Sequence, residues 1–186
     1  MAKKSENFNL IDVIASEGCV QLLHPLLYKP GIEMYQSEVI KETNVPKTRA
    51  IRLLNTLTGY GLLREKEKAG CKFYAASQDD PVVNQLKILI MITKLYQLTR
   101  EYSGQGIEVF LFGSSAKGED TENSDVDLLV ISDTAKGSVS VLIDKVKANL
   151  EREVNPVLYT PLEYANLCNK DKTFYDQLER YKIRVL

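Results

Sequence analysis

Two apolar, β-prone runs bracket a polar connection in Val109–Ser132, VFLFGSSAKGEDTENSDVDLLVIS, and no other stretch of the chain restricts its fold so tightly. The first run, Val109-Phe110-Leu111-Phe112, stops at Gly113-Ser114, where a residue without a β-carbon lets backbone N–H groups and a hydroxyl approach an anion. The second run, Leu128-Leu129-Val130-Ile131, is entered through Ser124-Asp125-Val126-Asp127. Side chains alternate faces along a strand, so Asp125 and Asp127 share a face. Neighbouring carboxylates repel unless a cation lies between them, and a hard cation such as Mg²⁺ takes one or two carboxylates together with phosphate oxygens. The expectation is a turn that cradles phosphate at Gly113, Ser114, Gly118 and Ser124, beside a metal-binding pair at Asp125 and Asp127.

The spacing of Gly113, Ser114, Gly118, Asp125 and Asp127 resembles the signature of the DNA polymerase β-like nucleotidyltransferase superfamily, most closely its small prokaryotic members. The resemblance implies transfer of a nucleoside monophosphate from an NTP to a hydroxyl, with Mg²⁺ or Mn²⁺ as cofactor and Asp125 and Asp127 catalytic. It also implies a third carboxylate on a later strand, completing a two-metal site. The matching position here is Asn155, a neutral ligand that can neither balance a second cation nor accept a proton. Glu153 lies two residues away on the same face and is the substitute candidate. The relatives often pair with a helical toxin-like protein, which implies a protein partner. The alternative is a DNA-binding regulator whose nucleotidyltransferase-like domain senses nucleotide or serves as a scaffold.

At 186 residues the chain has room for two small domains. Apolar residues from Leu10 to Tyr28 recur at helical spacing, interrupted by Gly18 and closed by Pro30-Gly31. Tyr35–Glu42 reads as a helix, Thr43–Pro46 as a turn, and Lys47–Thr58 as a second helix with Pro46 in its first turn. After Gly59-Tyr60-Gly61 come two strand-like runs, Leu62–Glu67 and Cys71–Ala76, joined at Ala69-Gly70. Residues 10–77 resemble the winged helix-turn-helix domain of prokaryotic transcription regulators. That implies double-stranded DNA as partner, read by Lys47, Thr48, Arg49, Arg52 and Asn55 on the second helix and by Arg64, Lys66, Lys68 and Lys72 on the wing. Glu65 and Glu67 dilute the wing's potential, and winged helices also bind proteins, so a partner-binding role stays open.

Asp79-Asp80-Pro81 caps a helix over Val82–Tyr102. It carries one stripe of Val82, Leu86, Leu89, Thr93 and Tyr96 and another of Ile88, Ile92, Leu95 and Tyr102. Two stripes need two covers, so the helix either joins a homodimer or lies buried between domains. Past Ser103–Gly106, Gly137–Arg152 reads as an amphipathic helix, Val154–Tyr159 as a third strand, and the chain from Pro161 as terminal helices. A helix between the second and third strands calls for a mixed sheet flanked by helices. The expected class is α+β, with a winged helix-turn-helix over 1–78, a linker helix over 79–104 and a nucleotidyltransferase-like domain over 105–186.

The longest apolar run, Leu86–Ile92, contains Lys87 and is far too short to span a bilayer, and MAKKSENFNL lacks the apolar core of a signal peptide. The expected location is the cytoplasm, with no membrane role. Cys19, Cys71 and Cys168, odd in number and widely spaced, read as reduced buried thiols. His24 is the sole histidine, which leaves a His-based triad without partners and favours a structural role.

Overall fold

The computed structural model describes residues 9–133 and 136–186. Contacts divide it into two units, one ending at Val83 and the other spanning Asn84–Leu186. No helix among the described residues is long and apolar enough to cross a membrane.

The first unit opens with α1 (Leu10–Ile14) and α2 (Cys19–Leu27), separated at Gly18, whose φ of 81° is left-handed. A two-residue strand that the sequence pattern did not announce, β1 (Met34–Tyr35), precedes α3 (Gln36–Thr43), α4 (Lys47–Gly59) and the hairpin β2 (Leu63–Lys68) and β3 (Cys71–Ala76). Pro46 stands as the N-cap of α4, one position before the expected first turn. Ala69 and Gly70 both have positive φ, 49° and 74°, as a two-residue turn matched to strand twist demands. The sheet order is β1-β3-β2, antiparallel throughout. Leu22, Leu23, Leu26 and Leu27 of α2 meet Leu54 and Leu57 of α4 in a core closed to solvent. Each fully buried Leu there contributes roughly 2 kcal/mol.

The helix α5 (Pro81–Thr99) is followed by a 3₁₀ turn over Arg100–Tyr102. From Asn84 onward it belongs to the second unit, so the stretch expected as a separate linker supplies part of that unit's core through Met91 and Leu95. Then come β4 (Ile107–Phe112), α6 (Gly113–Lys117), β5 (Val126–Ser132), α7 (Lys136–Asn149), β6 (Val154–Tyr159), α8 (Pro161–Ala165), α9 (Leu167–Lys170), α10 (Lys172–Tyr181) and β7 (Ile183–Arg184). The sheet is mixed, in the order β6-β5-β4-β7, with β5 and β6 parallel across the α7 crossover and the other pairs antiparallel.

Alternation along β4 and β5 makes two cores. Val109, Leu111, Val126, Leu128 and Val130 pack with Leu142 and Val146 of α7, while Phe110, Leu129 and Ile131 pack with Leu167 and Leu178 beneath α9 and α10. Asp127 falls in the second set of alternating positions and so emerges on the α10 face. On α5, Ile88, Leu95 and also Leu86 are buried, but Leu89 and Tyr96 stay 57% and 52% exposed. The expected stripe through Leu86 therefore splits, with Leu86 inside and Leu89 and Tyr96 outside. The thiols also differ from expectation: Cys19 is buried, whereas Cys71 and Cys168 are half-buried, and all three are free.

Candidate functional site

Asp125 is the last residue before β5 and Asp127 the second residue within it. In the antiparallel register Asp127 stands opposite Phe112, the residue that leads into Gly113. The Asp127 carboxylate reaches over the Gly113 backbone so closely that a β-carbon on Gly113 would meet Asp127 Oδ2 at 2.1 Å. Gly113 also has φ of 71°, so conformation and space both require glycine there. In the parallel register Asp127 stands opposite Asn155, and Asn155 Nδ2 donates to Asp125 Oδ2 at 3.0 Å. Two strands thus bring two carboxylates and one carboxamide together at a sheet end.

The Asp127 carboxyl is raised above the usual carboxylate range, first by burial and then by the neighbouring Asp125 charge, with the Asn155 hydrogen bond pulling the other way. Glu153 stands just before β6, which begins one residue later; its carbonyl accepts the Val126 N–H at 2.8 Å, and its side chain is exposed. No cluster of three or more His, Cys, Asp or Glu capable of holding a metal occurs among the described residues. The donors on hand are two carboxylates and one amide oxygen, reached by turning the Asn155 side chain.

The expected phosphate turn is a short helix, α6, that starts at Gly113 and stops at Gly118 with φ of 71°. Ser114 is half-buried on it. Gly118 is pinned by packing: a β-carbon would fall 2.3 Å from the main-chain oxygen of Asn84 on α5. The Ser124 hydroxyl accepts the Thr121 N–H at 2.9 Å and lies 3.1 Å from Thr121 Oγ1, so it closes the loop leading to Asp125.

The sequence reading missed a buried polar cluster beneath that loop. Asp120, 1% exposed, lies between Arg152 Nη1 at 2.5 Å from its Oδ2 and Lys87 Nζ at 3.6 Å from its Oδ1. Ser115 Oγ donates to Asp120 Oδ2 at 3.3 Å. One clue was available, a lysine inside the apolar run 86–92, but nothing local to Arg152 or Asp120 announced their meeting.

The candidate nucleic-acid residues divide into two groups. Lys47, Thr48, Arg52 and Asn55 are exposed on α4. Most of the other cations are tied to carboxylates: Arg49 to Glu17, Lys66 and Lys68 to Glu33 at 3.2 and 2.5 Å, and Lys72 to Glu65 at 2.8 Å. Arg64 is turned to the Ala76 carbonyl at 3.5 Å. Glu33, upstream of β1, lies outside the expected wing and pairs with two of its lysines.

Residues 92–184 match the family described as Nucleotidyltransferase domain. No curated protein matches the chain.

Proposed function

This chain belongs to the nucleotidyltransferase domain family, and from that membership we propose that residues 105–186 transfer a nucleoside monophosphate from an NTP to an acceptor hydroxyl, with Mg²⁺ or Mn²⁺ held by Asp125 and Asp127. The observation that carries this reading is the Asp127 carboxylate crowded over Gly113 and raised by burial and by the neighbouring Asp125 charge. Such a pair fits one hard cation that also takes phosphate oxygens. When bound, that ion supplies charge neutralisation for the triphosphate and the leaving pyrophosphate. Ser114 and the main chain around Gly113 and Gly118 orient the phosphates, and Asn155 orients Asp125. The acceptor oxygen bonds to the α-phosphorus, the bond from that phosphorus to the bridging oxygen breaks, and pyrophosphate departs. Asn155 has no basic oxygen for the acceptor's proton, which passes to water at the exposed edge beside Asp125.

Residues 1–78 act in this proposal as a winged helix-turn-helix that binds double-stranded DNA, with 79–104 as the connecting helix. The exposed Lys47, Arg52 and Asn55 on α4 support the recognition role, and the pairing of wing lysines with carboxylates favours that helix. A second reading rests on Asn155: a neutral residue at the third position suits a cytoplasmic regulator that binds nucleotide without turnover. The exposed Leu89 and Tyr96 on α5 support a homodimer, which sedimentation of Leu89→Glu would shift to monomer. A helical toxin-like protein is the proposed protein partner. Incubation with each labelled NTP and Mg²⁺ decides between the first two readings: label transfer or pyrophosphate release supports the transferase, while metal-dependent binding without either supports the regulator.

A further inference from the structure

Helix α5 touches the loop that carries Asp125 at two points one turn apart. Gly118 packs on the Asn84 main chain, and Lys87 Nζ donates to the main-chain oxygen of Asp120 while facing Asp120 Oδ1 at 3.6 Å. Arg152 carries the connection onward. Its Nη1 binds Asp120 Oδ2 at 2.5 Å, its Nε donates to the Ser124 carbonyl at 2.6 Å, and its Nη2 reaches the Asp125 carbonyl at 3.3 Å. A continuous polar path therefore leads from Lys87 to the residue that presents the first carboxylate.

Lys87 shares Asp120 with Arg152 and is only 2% exposed. Burial pushes its ammonium below the usual lysine range, and the Asp120 charge resists that shift. An apolar side chain would fill the same space without desolvating a charge. A hydrogen-bonded charge does what an apolar residue cannot: it selects one position of the loop. The family match begins at residue 92, so this anchor lies outside it.

We propose that Lys87 is a positioning residue for the nucleotide site: by holding Asp120 from α5, it fixes the 118–125 loop and hence the place of Asp125 relative to Asp127. This rests on the function proposed above. The site's competence then depends on α5 as well as on the sheet, and anything that shifts α5 alters Asp125 without touching it.

The test compares the full chain with Lys87→Met, which leaves Asp120 and Arg152 balanced, and with Lys94→Met, an exposed control on the same helix. Hydrogen exchange without metal or nucleotide reads the loop, and calorimetry with Mg²⁺ and each of the four NTPs reads the site. Lys87→Met is expected to speed exchange over 119–126 while β4 stays protected, and to weaken Mg²⁺-dependent NTP binding roughly tenfold, with no effect from Lys94→Met. A pH series adds a reading that a merely structural lysine would not move. Lys87 faces Asp120 and Glu119 from the loop and Arg152 from the segment after α7, and parent affinity should fall as pH rises toward the usual lysine range while that of Lys87→Met stays level. Should Lys87→Met not fold, Lys87→Gln, which is uncharged and one bond shorter than the lysine that reaches the Asp120 carbonyl, carries the same comparison. Unchanged exchange overturns the proposal, and so does faster exchange with unchanged affinity. A parent that binds no NTP with any metal defeats the proposed function, and the positioning role with it, while faster exchange in the variant still shows Lys87 holding the loop.

Discussion

A β-carbon on Gly113 would lie 2.1 Å from Asp127 Oδ2, so the turn after β4 and the carboxylate on β5 occupy one space that only glycine leaves open. Gly113→Ala must move Asp127 or unwind the start of α6, and it also places alanine at a φ of 71°. The left-handed conformation alone costs about 1–2 kcal/mol. Thermal unfolding should show that loss, and calorimetry with Mg²⁺ and NTP should show binding reduced by far more than the stability change accounts for. Parent-like binding would separate Asp127 from the site.

The raised Asp127 carboxyl makes a signed prediction. A folded-state pKa above the ordinary 3.8 contributes stability that is fully present below 3.8 and lost as pH rises through the raised value. At neutral pH the metal-free pair is a net cost, so Asp127→Asn should raise the metal-free melting temperature by about 2 °C, a small figure because the group is half-exposed and screened. At pH 3 the difference should vanish. Metal affinity should run the opposite way, falling as acid protonates Asp127, and a metal titration flat from pH 7 to pH 4 would contradict the assignment.

Asn155 donates to Asp125 where a third carboxylate would repel it. Asn155→Asp should therefore lower metal-free stability by about 1 kcal/mol and raise Mg²⁺ or Mn²⁺ affinity roughly tenfold. Glu153→Gln should change neither, since that side chain is exposed beyond the strand end. Loss of nucleotide transfer in Glu153→Gln would restore Glu153 to the site.

For DNA, the pairing of the wing cations separates two sets of variants. Arg52→Ala and Lys47→Ala should each flatten the dependence of log affinity on log salt by about one unit. Lys66→Ala and Lys68→Ala should have smaller effects, because both residues already share an ion pair with Glu33. Retarded mobility of labelled duplex across a salt series measures the slopes, and a chain that retains no duplex at low salt rules out the DNA-binding role.

The turn between Gly113 and Gly118, the two strands and the alternating core were legible because each follows from short-range rules: a period of two along a strand, and the freedom of Gly113 and Gly118 to take positive φ. Even the placement of Asp125, Asp127 and Asn155 on one face needed no more than that period and parallel pairing. β1 and β7, two residues each, carry too little pattern to be read, and exist because a neighbouring strand offers a partner. The polar cluster is of another kind. Lys87, Asp120 and Arg152 are more than thirty residues apart in steps along the chain, and no local propensity relates them. Nor does composition reveal that Glu33 pairs with Lys66 and Lys68 while Lys47 and Arg52 stay exposed. Local preference acts within a few residues, so it specifies which groups can face a site. Which charges are buried, paired or left exposed depends on distant segments closing on one another, and only the packed chain sets that.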